Sequence, residues 1–108
     1  MNRGDLVTVA IQGGFGKPRP ALVIQSDIFN DTHATVTVLL LSHEIVSAPV
    51  FRITIDPTPE NGLKTVSQIQ TDKIMTLRRE RIGTSLGRLD ADTMVRVNRA
   101  LAVWMGIA

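Results

Sequence analysis

Arg19 stands in the run Gly16-Lys17-Pro18-Arg19-Pro20-Ala21-Leu22-Val23-Ile24-Gln25-Ser26-Asp27. Pro18 and Pro20 restrict Lys17 and Arg19 to extended backbone. Arg19 is therefore delivered from a glycine-rich loop, Gln12-Gly13-Gly14-Phe15-Gly16, onto a stiff strand entrance. A fixed cation beside a movable loop is how a charge is mounted to meet a transition state. The same pattern also fits an arginine at a strand edge, paired with a carboxylate such as Asp5 or Asp27.

Other chemistries find no residues to carry them. The chain has no cysteine, which excludes disulfides, thiolate metal sites and a cysteine nucleophile. His33 and His43 are the only histidines and have no ligand spacing around them. Gly16-Lys17 is followed by Pro18, and Ile11 stands where a phosphate loop needs glycine. Arg19 also breaks a dinucleotide-binding glycine pattern. Arg3-Gly4-Asp5 reads as a turn into the first strand rather than as an adhesion tripeptide. Asn30-Asp31-Thr32 is a glycosylation sequon that matters only in an exported protein.

The net charge of +2 is unevenly spread. Residues 1–72 carry 5 basic and 7 acidic side chains, and residues 73–108 carry 7 basic and 3 acidic. Lys73, Arg78, Arg79 and Arg81 form the core of the excess. They suit either a phosphate-facing patch or a solvated charged turn. The 108 residues fit one domain, 1–108. At 44% apolar and 20% charged residues, the chain is composed to fold. No apolar run approaches the roughly 20 residues of a membrane span. No secretory leader is legible at Met1-Asn2-Arg3, so the expected setting is soluble and cytoplasmic.

The elements that must position Arg19 are mostly short strands. Residues 5–11 are rich in β-branched side chains and read as a strand. Pro20 to Ser26 reads as a second, central strand, because Ala21-Leu22-Val23-Ile24 is apolar on both faces. Asp27 to His33 is a loop or one helical turn. Thr35 to Leu41 is a third strand, and Ser42 to Pro49 a connection. Phe51, Ile53 and Ile55 alternate with polar residues, which marks a half-buried strand. Residues 56–62 form a turn. Leu63 to Ile69 and residues 82–89 complete the set. The period then changes: Asp90 caps a helix on which Met94, Val97, Leu101, Trp104 and Met105 recur, and Gly106 ends it. The fold class is mainly β, a small antiparallel barrel of five to seven strands with a C-terminal helix over one open side.

These pieces, in this order, resemble the MazF/PemK toxins of bacterial toxin–antitoxin pairs. The matching segments are Arg3-Gly4-Asp5, Pro18-Arg19-Pro20 through Asp27, and the strand ending at Ser42. Further along they are Glu60-Asn61-Gly62-Leu63, Ser67-Gln68-Ile69 before Asp72-Lys73, and Ile82-Gly83 with Gly87-Arg88-Leu89. The resemblance spans nearly the whole chain. It implies an SH3-like barrel, a homodimer, and an endoribonuclease that cuts single-stranded RNA with no metal or other cofactor. It also implies a cognate antitoxin whose disordered tail folds along the toxin.

On this resemblance Arg19 falls on the family's catalytic arginine and Ser42 on its catalytic Thr or Ser. Arginine can hold two phosphoryl oxygens in a fixed fork. A serine hydroxyl can bond a phosphoryl oxygen or the leaving group. Gln12, Phe15 and Lys17 in the loop, with Gln68 and Lys73, are candidate RNA contacts. Phe15 stacks on a base or tucks against the barrel. The Glu that some members carry five residues before the arginine is Gly14 here, so the general base is unassigned. His43, beside Ser42, is either a proton carrier or an exposed loop histidine. Two other readings compete. One is a CcdB-like gyrase poison, suggested by the ending Trp104-Met105-Gly106-Ile107, where Met105 interrupts that family's pattern. The other is a non-catalytic SH3-like binding module, disfavoured by 4% aromatic content and no tyrosine.

Overall fold

The computed structural model describes residues 1–11 and 17–107. Gln12 and Phe15 lie outside the described residues. Six strands and two helices follow in chain order. They are β1 (Asp5–Val9), β2 (Arg19–Val23), α1 (Asp27–Asn30), β3 (Thr35–Ser42), β4 (Arg52–Ile55), β5 (Ser67–Arg78), β6 (Ile82–Arg88) and α2 (Ala91–Met105). Every pairing is antiparallel, in the order β4-β5-β3-β2-β1-β6. Outer strands β4 and β6 do not pair, so hydrogen bonds do not close the barrel. The sheet is nevertheless strongly curled. β5 and β6 are separated in it by β3, β2 and β1, yet only the 3₁₀ turn Arg79–Arg81 joins them.

That curl divides the apolar side chains into two cores, because successive strand residues face opposite sides. Leu6, Leu22, Leu39, Leu41, Ile53, Ile55 and Ile69 face α2, which contributes Val97 and Ala100. Val7, Val9, Ala21, Val23, Val36, Val38 and Leu40 fill the other face. The triple leucine Leu39-Leu40-Leu41 serves both cores, which explains its lack of alternation.

The largest departure from the sequence reading is β5. The expected strand over residues 63–69 starts at Ser67 and runs to Arg78. Its register explains the difference. Leu41 pairs with Ile69, but Leu39 pairs with Ile74, so Gln70 to Lys73 stand opposite Leu40 alone. Such a bulge bends the strand and scrambles its alternation. The bend is bolted to the start of β4. The Thr71 amide and hydroxyl both donate to the Phe51 carbonyl, and Arg52 pairs with Asp72.

Both helix ends form as their residues dictate. Asp90 accepts from the Thr93 amide, and Gly106 adopts the left-handed conformation, φ 74°, that stops α2. The apolar stripe overruns the core. Val97 is fully buried, but Trp104 is 48% exposed and meets Phe51 edge-on with ring centres 5.2 Å apart. No helix among the described residues is long and apolar enough to cross a membrane.

Candidate active site

Strand register brings the two sequence-predicted catalytic residues together. Ala21 pairs with Leu40 across β2 and β3. Continued by two residues, that register sets Arg19 level with Ser42. Val9 pairs with both Arg19 and Ile82, and Ser42 pairs with Gln68, which pairs with Thr54. Ile82, Val9, Arg19, Ser42, Gln68 and Thr54 thus form one row across the sheet, on the side of Val7 and Leu40. The row is apolar over β6 and β1 and polar from β2 to β4.

Arg19 is exposed at the mouth of β2. The carboxylates that would neutralise it are engaged elsewhere. Asp5 holds Arg88 at 2.6 Å and accepts from the Asn2 amide at 2.8 Å. Asp27 accepts from the Arg3 amide and from Asn30. The Arg3 amide holds the Asp27 carboxyl below its ordinary value, with help from Asn30. No carboxylate lies within 4.0 Å of the Arg19 guanidinium among the described residues. A cation held on a stiff strand without a counter-ion is available to an anion.

Ser42 is half-buried at the end of β3. Its Oγ accepts a 3.1 Å bond from the Glu44 amide. With one lone pair spent there, the hydroxyl proton is left to donate. His43 is exposed and next in the chain. Lys17 and Lys73 are also exposed, Lys17 just before β2 and Lys73 in the bulge opposite Leu40. The other basic residues disperse. Arg79 donates twice to the His33 carbonyl, at 3.0 and 2.7 Å, while the Arg81 carbonyl accepts from Ala10.

Gln68, a candidate RNA contact from the sequence, is buried and engaged by neighbouring groups. It is 3% exposed. Its Oε1 accepts from the Val46 amide at 3.0 Å, and its Nε2 donates to the Val46 carbonyl at 3.0 Å and to Thr54 Oγ1 at 3.1 Å. Sequence reasoning missed this clamp, because its main partner is backbone. The only signal was a polar pair, Ser67-Gln68, inside a buried strand.

The motif Glu60-Asn61-Gly62-Leu63 also belongs to the scaffold. Asn61 is 3% exposed and ties its own turn together. Gly62 has φ 67°, and a Cβ there would run into the Leu86 carbonyl. A cavity of about 590 Å³ beside this turn is lined by Asp56, Glu60, Asn61, Arg88 and Asp90, among others; of the Arg19 row it meets only the far member, Thr54 on β4, and neither Arg19 nor Ser42 lines it. Among the described residues no group of His, Cys, Asp and Glu side chains is placed to hold a metal ion.

Comparison with known proteins gives a consistent pattern. Residues 2–105 match the model of a family described as PemK-like, MazF-like toxin of type II toxin-antitoxin system. The chain is 48% identical over 109 residues to a protein named probable endoribonuclease MazF from Mycolicibacterium smegmatis, covering all of this chain and 99% of that one. Among solved structures, an endoribonuclease in complex with its cognate antitoxin from a mycobacterial species superposes with a TM-score of 0.83 at 24% identity, covering 100% of this chain and 97% of that one. A MazE–MazF structure from Deinococcus radiodurans gives 0.80 at 24%, with the same coverage. At these identities the structural likenesses bear on the fold.

Proposed function

The chain belongs to the PemK-like, MazF-like toxins of type II toxin–antitoxin systems, and from that membership we propose that it is an endoribonuclease cutting single-stranded RNA without a metal ion. The observation that carries this reading is the shared row of Arg19 and Ser42, with Arg19 exposed and free of carboxylates among the described residues. The similarity to a probable endoribonuclease over the whole chain supports it.

In the proposed reaction the substrate's 2′-oxygen attacks the adjacent phosphorus. The phosphorus–O5′ bond breaks, giving a 2′,3′-cyclic phosphate and a 5′-hydroxyl. The 2′-hydroxyl loses a proton, and the departing 5′-oxygen gains one. Negative charge builds on the non-bridging oxygens as the new bond forms. Arg19 stabilises it through paired N–H donors on a preorganised strand. Ser42 donates its hydroxyl proton to the same phosphoryl group or to the departing oxygen. Lys17 and Lys73 hold neighbouring phosphates, a contribution that weakens with salt.

The toxin acts in the cytoplasm and is inhibited by a cognate antitoxin, a partnership that the toxin–antitoxin structures above support by analogy. The exposed run Val103, Trp104, Met105 and Ile107 at the end of α2 supports a homodimer. Sedimentation as a monomer at micromolar concentration would exclude one.

The reaction is tested by incubating a long single-stranded RNA with the protein in EDTA and mapping the cuts by primer extension. Discrete cuts ending in cyclic phosphate are expected. Folded, antitoxin-free protein that leaves several RNAs intact would refute the proposal.

A further inference from the structure

We infer that Gln68 is a positioning residue for Ser42, acting through the backbone of residues 43–46; the inference rests on the proposed role of Ser42. Gln68 lies directly across the β3–β5 ladder from Ser42. It is almost fully buried, and its side chain bonds both backbone groups of Val46 as a neighbouring strand would. The second Nε2 hydrogen goes to Thr54 on β4, directly opposite. Both donors and one acceptor are thereby used, and the amide cannot flip without setting Nε2 against the Val46 N–H.

The consequence reaches Ser42 by one more hydrogen bond. The turn after β3 is held at its start by the Glu44 amide on Ser42 Oγ and two residues later by Gln68 on Val46. Residues 43–47 are otherwise exposed and in no helix or strand. Gln68 therefore fixes where the Glu44 amide points. That amide fixes which Ser42 lone pair is occupied and where the hydroxyl proton is directed. Without the clamp, Ser42 remains at its place in β3 but loses its preset orientation. In this role Gln68 touches neither phosphate nor base.

Two substitutions test it. Gln68→Leu fills the space but leaves both Val46 groups without their partner. Gln68→Glu is isosteric, and only its neutral form can both accept from the Val46 amide and donate to the Val46 carbonyl. Burial favours that neutral form. Amide hydrogen exchange is measured first. Protection of Val46 and Glu44 is expected to drop in Gln68→Leu while the β1–β2–β3 amides stay protected. Cleavage is measured next, with kcat expected to fall roughly 10- to 100-fold and KM to hold within about twofold.

With Ser42→Ala already present, Gln68→Leu should change the rate by less than about twofold, because its effect passes through the serine. For Gln68→Glu, the rate relative to the parent should climb as pH falls from about 8 to about 5. This ratio carries the test if Gln68→Leu fails to fold. Unchanged Val46 protection, equal losses with and without Ser42, or a flat Gln68→Glu ratio would each overturn the inference. A parent that does not cut RNA would refute the proposed function instead. Hydrogen exchange would then decide on its own whether Gln68 holds the loop.

Discussion

Asn61 holds the turn between β4 and β5, and its removal has a cost that follows from its bonds. Asn61 Oδ1 accepts from the Thr58 and Leu63 amides, each at 3.0 Å, and Nδ2 donates to the Asp56 carbonyl at 2.9 Å. Asn61→Ala removes all three. At about 1 kcal/mol net for each bond, the expected loss is about 3 kcal/mol. The outer side of the turn is exposed, so water re-bonds part of the freed backbone and keeps the figure from rising higher. With a urea slope of about 1.5 kcal/mol/M, the unfolding midpoint should fall by about 2 M. Asn61→Asp keeps both acceptor bonds but turns an oxygen toward the Asp56 carbonyl, so it should fall between alanine and the parent. The turn docks by the Glu60 carbonyl on the Arg88 amide, at the Asp5 end of β1, whereas Arg19 pairs at the Val9 end. RNA cleavage per folded molecule should therefore be unchanged. A midpoint shift below about 0.5 M, or full stability with lost cleavage, would refute this assignment of Asn61 to the scaffold.

Ser42→Ala should lower kcat roughly 10- to 100-fold, as loss of one transition-state donor does, with little change in the melting temperature; an unchanged single-turnover rate would remove Ser42 from the site. Acid should destabilise the protein at identifiable carboxylates. The Thr93 hydroxyl and amide hold Asp90 below its ordinary value, and the Arg3 amide does the same for Asp27. Both favour the folded state at neutral pH, and that contribution is lost as pH drops below about 4 and the carboxylates protonate. Asp90→Ala should lower the melting temperature at pH 7 by about 5 °C, and its deficit against the parent should shrink at pH 3. A deficit that stays constant with pH would contradict the capping role.

The sheet was legible in the sequence where burial obeyed a simple period. Phe51-Arg52-Ile53-Thr54-Ile55 alternates, and β4 is found there. Asp90 and Gly106 bracket α2 because a capping carboxylate and a left-handed glycine are local requirements that surroundings seldom override. β5 departs from the expected strand for a physical reason. Its bulge places four residues opposite Leu40, so the period breaks at Gln70 and the strand looks finished at Ile69. The charged residues beyond it then read as a turn. Pro18 and Pro20 made Arg19 conspicuous, and the resemblance supplied Ser42. Sequence could not show that Asp5 and Asp27 are spent on Arg88 and the Arg3 amide, which leaves neither of them as the partner of Arg19. Nor could it separate a buried amide clamping Val46 from one that meets RNA, since both are a glutamine in a strand.

The proposed role of Arg19, as the charge that meets the phosphoryl transition state, is tested by single-turnover cleavage of one RNA in EDTA, comparing the parent with Arg19→Ala purified identically. The parent is expected to cut and Arg19→Ala to be slower by roughly 10²-fold or more, with the fold intact by circular dichroism. Equal rates in the two preparations would contradict it.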